Sequence, residues 1–473
     1  MIKQLLFVLL SLLSVSIVEG QNQTVVISGK APEYAGKTIT LYELTEPVSG
    51  EKTTVATWQF QSDGSFSTSL KLNKTSFCQA DFDAWQAYIF LEPGKKYHLA
   101  LPPYRPVSGA ERRNPYFKPE VVPFGLVNAP ATDLNRMVQA FELEFARQED
   151  RFFQQIYRDK SVAAVDSLKA ALLQQFPPTA NATFEDYKFY RLASAEYALH
   201  QGRNERFATS SFVDHRPNLL VPTCYRLFEQ LFSNYFGQLA NAVDGEQFGR
   251  LVAQAKLKEI EDALIQQKNW DKNLAQLVIL KSIHDAFYTG QFSQQSLLTL
   301  LNKIAQSDWP AQKKEIAAKL TQKLTYLLPG TEAPNIRFTA LDGQQTQLAA
   351  FRGKFVYLHF TSVTNPICRQ HLDHLKKSAA PFVGKLLVVN LIPESELAKK
   401  DMIAQQEWTG EFFTFSPTEA EKYRVKSFPT TYLISPDGLL KLAPALNPLD
   451  GFDRQLSDIL KKLQVEEWRR QAK

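Results

Sequence analysis

Among the three cysteines of this 473-residue chain, one stands where a thiol could do chemistry. Cys368 closes the run Asn365-Pro366-Ile367-Cys368, which follows the apolar stretch Phe355–Phe360. Asn is among the best helix N-caps, and Pro is favoured at the first helical position. The spacing therefore predicts that Asn365 caps a helix, Pro366 opens it and Cys368 is its third residue. A sulfur in the first turn feels unpaired amides and the positive end of the helix dipole, which favour a thiolate. The competing outcome is a small buried hydrophobe, the usual fate of a free cysteine. Three positions earlier Asn365 offers no nucleophile. His371 and His374 follow at steps of three, so Cys368 and His371 share a helix face. Without a second ligand cluster this spacing predicts no metal or heme site. His359, on the apolar run, is expected in the core or at its rim. Cys78 lies near a β run and Cys224 on an apolar helical stripe. Core packing is the expectation for both, and a disulfide between them or to Cys368 is the alternative.

The elements that must position Cys368 fall into three stretches after a leader. Residues 1–20 carry one early lysine, an apolar run Leu5–Val18 and small residues before Gln21. This pattern predicts a secretory signal, and hence an exported protein of the periplasm or cell envelope. The run is short for a bilayer span, and no later stretch approaches one, so no membrane span is expected once the signal is removed. A net charge of +5 spread along the chain gives no electrostatic case for nucleic acid.

Residues 21–125 read as β. Thr24–Ser28, Thr38–Leu44, Val55–Gln61, Ser65–Leu72, Ala87–Leu91 and Tyr97–Leu101 are short β-rich runs. Asp63-Gly64 and Pro93-Gly94 mark turns, and the first predicts a hairpin. Six prolines from Pro102 to Pro123 mark an irregular connector. Residues 126–327 read as helix: Leu134, Met137, Val138, Phe141 and Phe145 recur at helical steps, Thr183 is a candidate cap, and Pro222 opens another helix. Aromatic residues at this spacing predict core, not a cofactor box. In residues 328–473 strands Phe355–Phe360, Leu386–Leu391, Thr430–Ile434 and Leu439–Leu442 alternate with helical stretches, as in a sheet covered by helices. The expected fold class is multidomain α+β: an N-terminal β-sandwich, a central all-α domain and a C-terminal α/β domain.

Four ordered segments make the last part more specific: Gly330-Thr-Glu-Ala-Pro334, Gly353-Lys354-Phe-Val-Tyr-Leu-His-Phe360, Asn365-Pro-Ile-Cys368-Arg369, and Phe428-Pro429-Thr-Thr-Tyr-Leu-Ile-Ser-Pro-Asp-Gly438. Together they resemble the TlpA/ResA-type thioredoxin-like family over about 140 residues. The resemblance implies a thioredoxin-like fold. It places the family's Cys-x-x-Cys on Asn365, Pro366, Ile367 and Cys368, and its cis-proline on Pro429, beside Cys368 in a groove for extended polypeptide. In the family the first cysteine attacks and the second resolves the mixed disulfide, so this chain retains only the resolving position. Disulfide exchange passes through a mixed disulfide that a neighbouring thiol must release. A lone thiol at Cys368 cannot complete that cycle without a partner thiol.

The peroxiredoxins are similar in fold but require Pro-x-x-x-Thr-x-x-Cys. Thr361 and Asn365 stand at the Pro and Thr positions here, which argues against peroxidase chemistry. No phosphate loop, Gly-x-Ser-x-Gly elbow or His-Glu-x-x-His motif occurs, and no cofactor is expected. Two functions follow from the resemblance: a scaffold that binds extended polypeptide without cycling a dithiol, or a monothiol protein acting through Cys368 on an envelope thiol protein. A main activity within 128–326 has no residue pattern to support it.

Overall fold

The computed structural model describes residues 22–471, apart from 110, 112, 113, 115, 116, 200–204, 216, 243 and 244. The expected signal at 1–20 lies outside the described residues. The chain divides into two compact units: residues up to 108 with 118–320, and 109–117 with 321 onward.

The first unit begins with nine strands: β1 (Gln23–Lys30), β2 (Thr38–Glu46), β3 (Glu51–Gln59), β4 (Ser65–Leu72), β5 (Ser76–Phe82), β6 (Trp85–Leu91), β7 (Lys96–Ala100), β8 (Glu120–Pro123) and β9 (Gly125–Leu126). They form a four-stranded sheet ordered β4-β1-β7-β9 and a five-stranded sheet ordered β3-β2-β5-β6-β8. Alternate residues of both sheets, among them Val25, Ile27, Ile39, Trp58, Phe66, Cys78 and Ile89, share one core. The stretch Ser76–Phe82, with polar residues between its apolar ones, was not expected as a strand. The connector prolines end in one too, since β8 runs parallel to β6.

The Asp63-Gly64 turn forms, but not as the expected hairpin. β3 and β4 belong to different sheets, and so do β6 and β7 across Pro93-Gly94. Gly64 has φ +77°, and a Cβ there would collide with the Pro32 backbone. The Gly64 carbonyl accepts the Ala31 amide at 2.8 Å, which ties the turn to the 31–34 segment and sends the chain into the facing sheet. Trp58 and Phe66 then stack at 5.3 Å inside the sandwich.

Helices from Leu134–Phe153 to Ala311–Thr325 follow. Asn181, not Thr183, caps the helix Ala182–Tyr197, its side chain accepting the Phe184 amide. Thr183 falls inside the first turn. Phe90 packs edge-on against Tyr187 of that helix. Asn135, buried, accepts the Phe90 amide at 2.7 Å and donates to the Phe90 carbonyl at 2.9 Å. One side chain thus mimics a strand partner and locks helix Leu134–Phe153 to β6.

The second unit holds β10 (Arg337–Ala340), β11 (Gln345–Gln347), β12 (Phe355–Phe360), β13 (Leu386–Pro393), β14 (Glu411–Phe415), β15 (Thr430–Ile434) and β16 (Leu440–Leu442) in the order β11-β10-β14-β13-β12-β15-β16. β12, β13 and β14 are parallel, and β15 is antiparallel to β12. All six residues of central β12 are buried. Val356, Leu358 and Phe360 face a core with Ile336, Phe413 and Tyr432. Phe355 and Tyr357 face a second core with Leu375, Ala379 and Phe452, from the helices Pro366–Ala379 and Phe452–Gln471.

Truncation of Asn135 leaves both main-chain groups of Phe90 without their partner in a dry setting. Asn135→Ala is expected to lower the unfolding free energy of the first unit by about 3 kcal/mol, with each stranded group costing ~1–3 kcal/mol. Urea denaturation of the full chain followed by tryptophan fluorescence checks this.

Candidate functional site

The carboxyl ends of β12, β13 and β14 lie on one edge of the sheet, where open α/β sheets place their ligand sites. The segment 361–365 leaves β12 there and turns into the helix Pro366–Ala379. Asn365 is its N-cap: its Oδ1 accepts the Ile367 amide at 2.9 Å, with Pro366 at the first helical position. Cys368 is the third helical residue, and its side chain is fully buried. Burial pushes its thiol up. The Ser362 amide and the Thr361 hydroxyl oppose that shift, and the charge of Glu396 adds to it. Thr361 Oγ1 makes no full hydrogen bond, yet lies close enough to the sulfur to take this part. Of the two outcomes open to Cys368, a thiolate poised by the helix dipole or a buried thiol, the burial favours the second.

The Phe428–Pro429 peptide is cis, as is Ala443–Pro444. Thr430, directly after Pro429, pairs with Phe360 in the β12–β15 ladder. Carrying the register one residue further sets Pro429 beside Thr361, at the Cys368 end of the sheet. Asn365, Cys368 and Pro429 are thus brought to one edge. Ile367, between Asn365 and Cys368, is 59% exposed.

The histidines are structural in their contacts. His359 is wholly buried on β12, its Nδ1 2.9 Å from Asn390 Oδ1. Asn390 Nδ2 donates to the Thr409 carbonyl, which fixes the amide so that Oδ1 faces the ring. His359 therefore donates from Nδ1 and leaves Nε2 as a bare acceptor without a partner. Burial holds its pKa down at about 4. His371, one turn after Cys368, accepts the Leu449 amide at Nδ1, 3.4 Å away. His374 is half-buried further along the helix. Among the described residues no group of three or more His, Cys, Asp or Glu side chains is placed to hold a metal ion. Cys78 and Cys224 are buried in the first unit, Cys78 in the sandwich core and Cys224 on helix Pro222–Leu231, and all three thiols are free.

Sequence reasoning missed the groups that hold the 361–365 segment. Glu396, in the short 3-10 helix after β13, accepts Ser362 Oγ at 2.6 Å, Thr364 Oγ1 at 2.6 Å and the Val363 amide at 2.8 Å. Arg369 donates to the Val363 carbonyl at 3.2 Å. Glu396 sits in the polar run Pro393-Glu-Ser-Glu396, which reads as solvent-exposed and gave no signal. His359 and Asn390 did leave one: each is a lone polar residue in an otherwise apolar strand, and the two are partners in the β12–β13 register.

His359 makes the second unit acid-sensitive. Its ordinary pKa is 6.5 and its folded pKa about 4, so below 6.5 the unfolded chain takes up a proton that the folded chain refuses. Stability is full above pH 6.5 and falls as pH drops toward 4, by ~3 kcal/mol in all at 1.36 kcal/mol per unit. Thermal melts across this range are expected to show the loss in the wild-type chain and a flatter profile in His359→Gln.

Residues 329–443 match the model of the AhpC/TSA family. Thioredoxin-like protein YneN of Bacillus subtilis is 28% identical over 119 residues, covering 24% of this chain and 68% of that protein. Thiol-disulfide oxidoreductase ResA of Bacillus thuringiensis subsp. konkukian is 27% identical over 139 residues, 28% of this chain and 78% of that protein. A thioredoxin-like protein from Bacteroides caccae of known structure aligns at 18% identity with a TM-score of 0.30, over 50% of this chain and 92% of that one. The C-terminal part of this chain is a thioredoxin-like domain, similar in sequence to a protein named as a thiol-disulfide oxidoreductase.

Proposed function

We propose that this is an exported protein of the periplasm or cell envelope whose thioredoxin-like domain binds extended polypeptide and does not cycle a dithiol. The observation that carries this reading is Asn365. It stands at the position of the attacking cysteine, its carbonyl oxygen is engaged in the cap, and it has no nucleophilic atom to offer. The remaining thiol is buried and its pKa is raised, so little thiolate is present at neutral pH. The reading takes the edge beside the partly buried Pro429 as the surface for an extended chain, with the exposed Ile367 as an apolar contact. Export rests on the composition of residues 1–20. No helix among the described residues is long and apolar enough to cross a membrane.

A second reading keeps redox chemistry: a monothiol acting through Cys368 on an envelope thiol protein. The Ser362 amide and Thr361 hydroxyl favour it, because both pull the Cys368 thiol's pKa down against the effect of burial. Under that reading the wild-type chain forms mixed disulfides with an activated disulfide probe and Cys368→Ala does not.

The full mature chain is expected to show no turnover in an insulin-reduction assay with dithiothreitol. Asn365→Cys, which restores a Cys-Pro-Ile-Cys pair on the same helix start, is expected to gain turnover at least tenfold above that background, since a resolving thiol then stands beside the attacking one. Wild-type turnover that disappears in Cys368→Ala would overturn the reading.

A further inference from the structure

Glu396 is nine-tenths buried, and the hydrogen bonds it accepts come from the segment after β12. Both its oxygens are spent on the three residues between Thr361 and Asn365. One takes the Ser362 and Thr364 hydroxyls, and the other takes the Val363 amide. Hydrogen bonds to a carboxylate are about twice as strong as neutral ones, and three on one group fix both the loop and the side chain. Val363 is held from two further directions. Its side chain is buried with Leu372, Ile392 and Ile403, and its carbonyl takes the Arg369 guanidinium. Ser362 in turn presents its amide to the Cys368 sulfur.

We propose that Glu396 is a positioning residue: its carboxylate holds Ser362–Thr364 closed over Cys368 and keeps that thiol out of reach of partners and small reagents. The inference deepens the reading of Cys368 as a thiol that does not cycle, and rests on it. It adds what keeps the thiol silent. A negative charge near the sulfur also disfavours the thiolate, so Glu396 acts by geometry and by charge in the same direction. Glu396 is the charged group that acts on the sulfur; of the nearby histidines, His359 lies on the strand face that carries Thr361 and His371 one turn along the helix from Cys368.

The test is the rate of iodoacetamide labelling at each cysteine of the full folded chain, read by mass spectrometry from pH 6 to 10. Glu396→Gln removes the charge, and with it the charge assistance on all three hydrogen bonds, whichever way its amide is turned. Labelling at Cys368 is expected to rise about tenfold or more over wild type, the equivalent of one hydrogen bond to a charged group. Its pH profile is expected to move to lower pH, which a purely mechanical role would not produce. Thr364→Ala removes one of the three bonds and leaves the charge, so it is expected to raise the rate a few-fold with the profile unmoved. Cys78 and Cys224, buried in the other unit, report general loosening. An unchanged rate at Cys368, or a rise matched at Cys78 and Cys224, overturns the proposal. If Glu396→Gln does not fold, Thr364→Ala decides by the same two criteria. Disulfide reduction by the wild-type chain would overturn the parent reading instead, and is measured separately.

Discussion

The second unit is organised by the requirement that β12 be covered on both faces. Every residue from Phe355 to Phe360 is buried, so one face needs the core of Ile336, Phe413 and Tyr432, and the other needs helices. The helix that answers this demand begins at Pro366, after a link of five residues. That short link leaves room only for the segment 361–365. The helix covers Tyr357 through Leu375 and Ala379, and Cys368, in its first turn, is fully buried. Burial raises the thiol's pKa, and the charge of Glu396 adds to that shift. Desolvation outweighs the Ser362 amide and the Thr361 hydroxyl, which stabilise a charge that burial disfavours.

The same arrangement explains why so much polar chemistry sits beneath the helix start. His359 and Thr361 share the β12 face that turns toward the helix. Neither can reach water there. His359 takes Asn390 as partner across the β12–β13 ladder, while the Thr361 hydroxyl has no full hydrogen bond and only draws the Cys368 pKa down. Glu396, arriving from the end of β13, supplies the acceptors that the 361–365 segment lacks. A loop at the edge of a sheet, linking two buried elements, has main-chain groups that must find partners. Here one carboxylate provides several of them.

Much of this edge was legible in the residues. Asn365, Pro366 and Cys368 announce a capped helix, and apolar runs announce β12, β13 and β15, because these signals are local. Strands β10, β11 and β14 were not expected. They are three to five residues long, and their place depends on neighbours distant in sequence. The turns at Asp63-Gly64 and Pro93-Gly94 were recognised as turns, but not that each carries the chain from one sheet to the other, because local turn chemistry does not specify the partner strand. Asn181 was passed over in favour of Thr183, since both are capping residues two positions apart. Glu396 was invisible for a different reason. Its role exists only once the fold has carried Pro393-Glu-Ser-Glu396 to the helix start.

On the proposed function Cys368 is a protonated, inaccessible thiol in the native wild-type chain. Timed alkylation of the folded protein at neutral pH, with and without prior reduction and resolved at Cys78, Cys224 and Cys368, tests this most directly. Cys368 is then expected to be reduced and to stay unlabelled until the protein is unfolded. Rapid labelling of Cys368 in the folded chain, or its recovery in a disulfide before reduction, would contradict it.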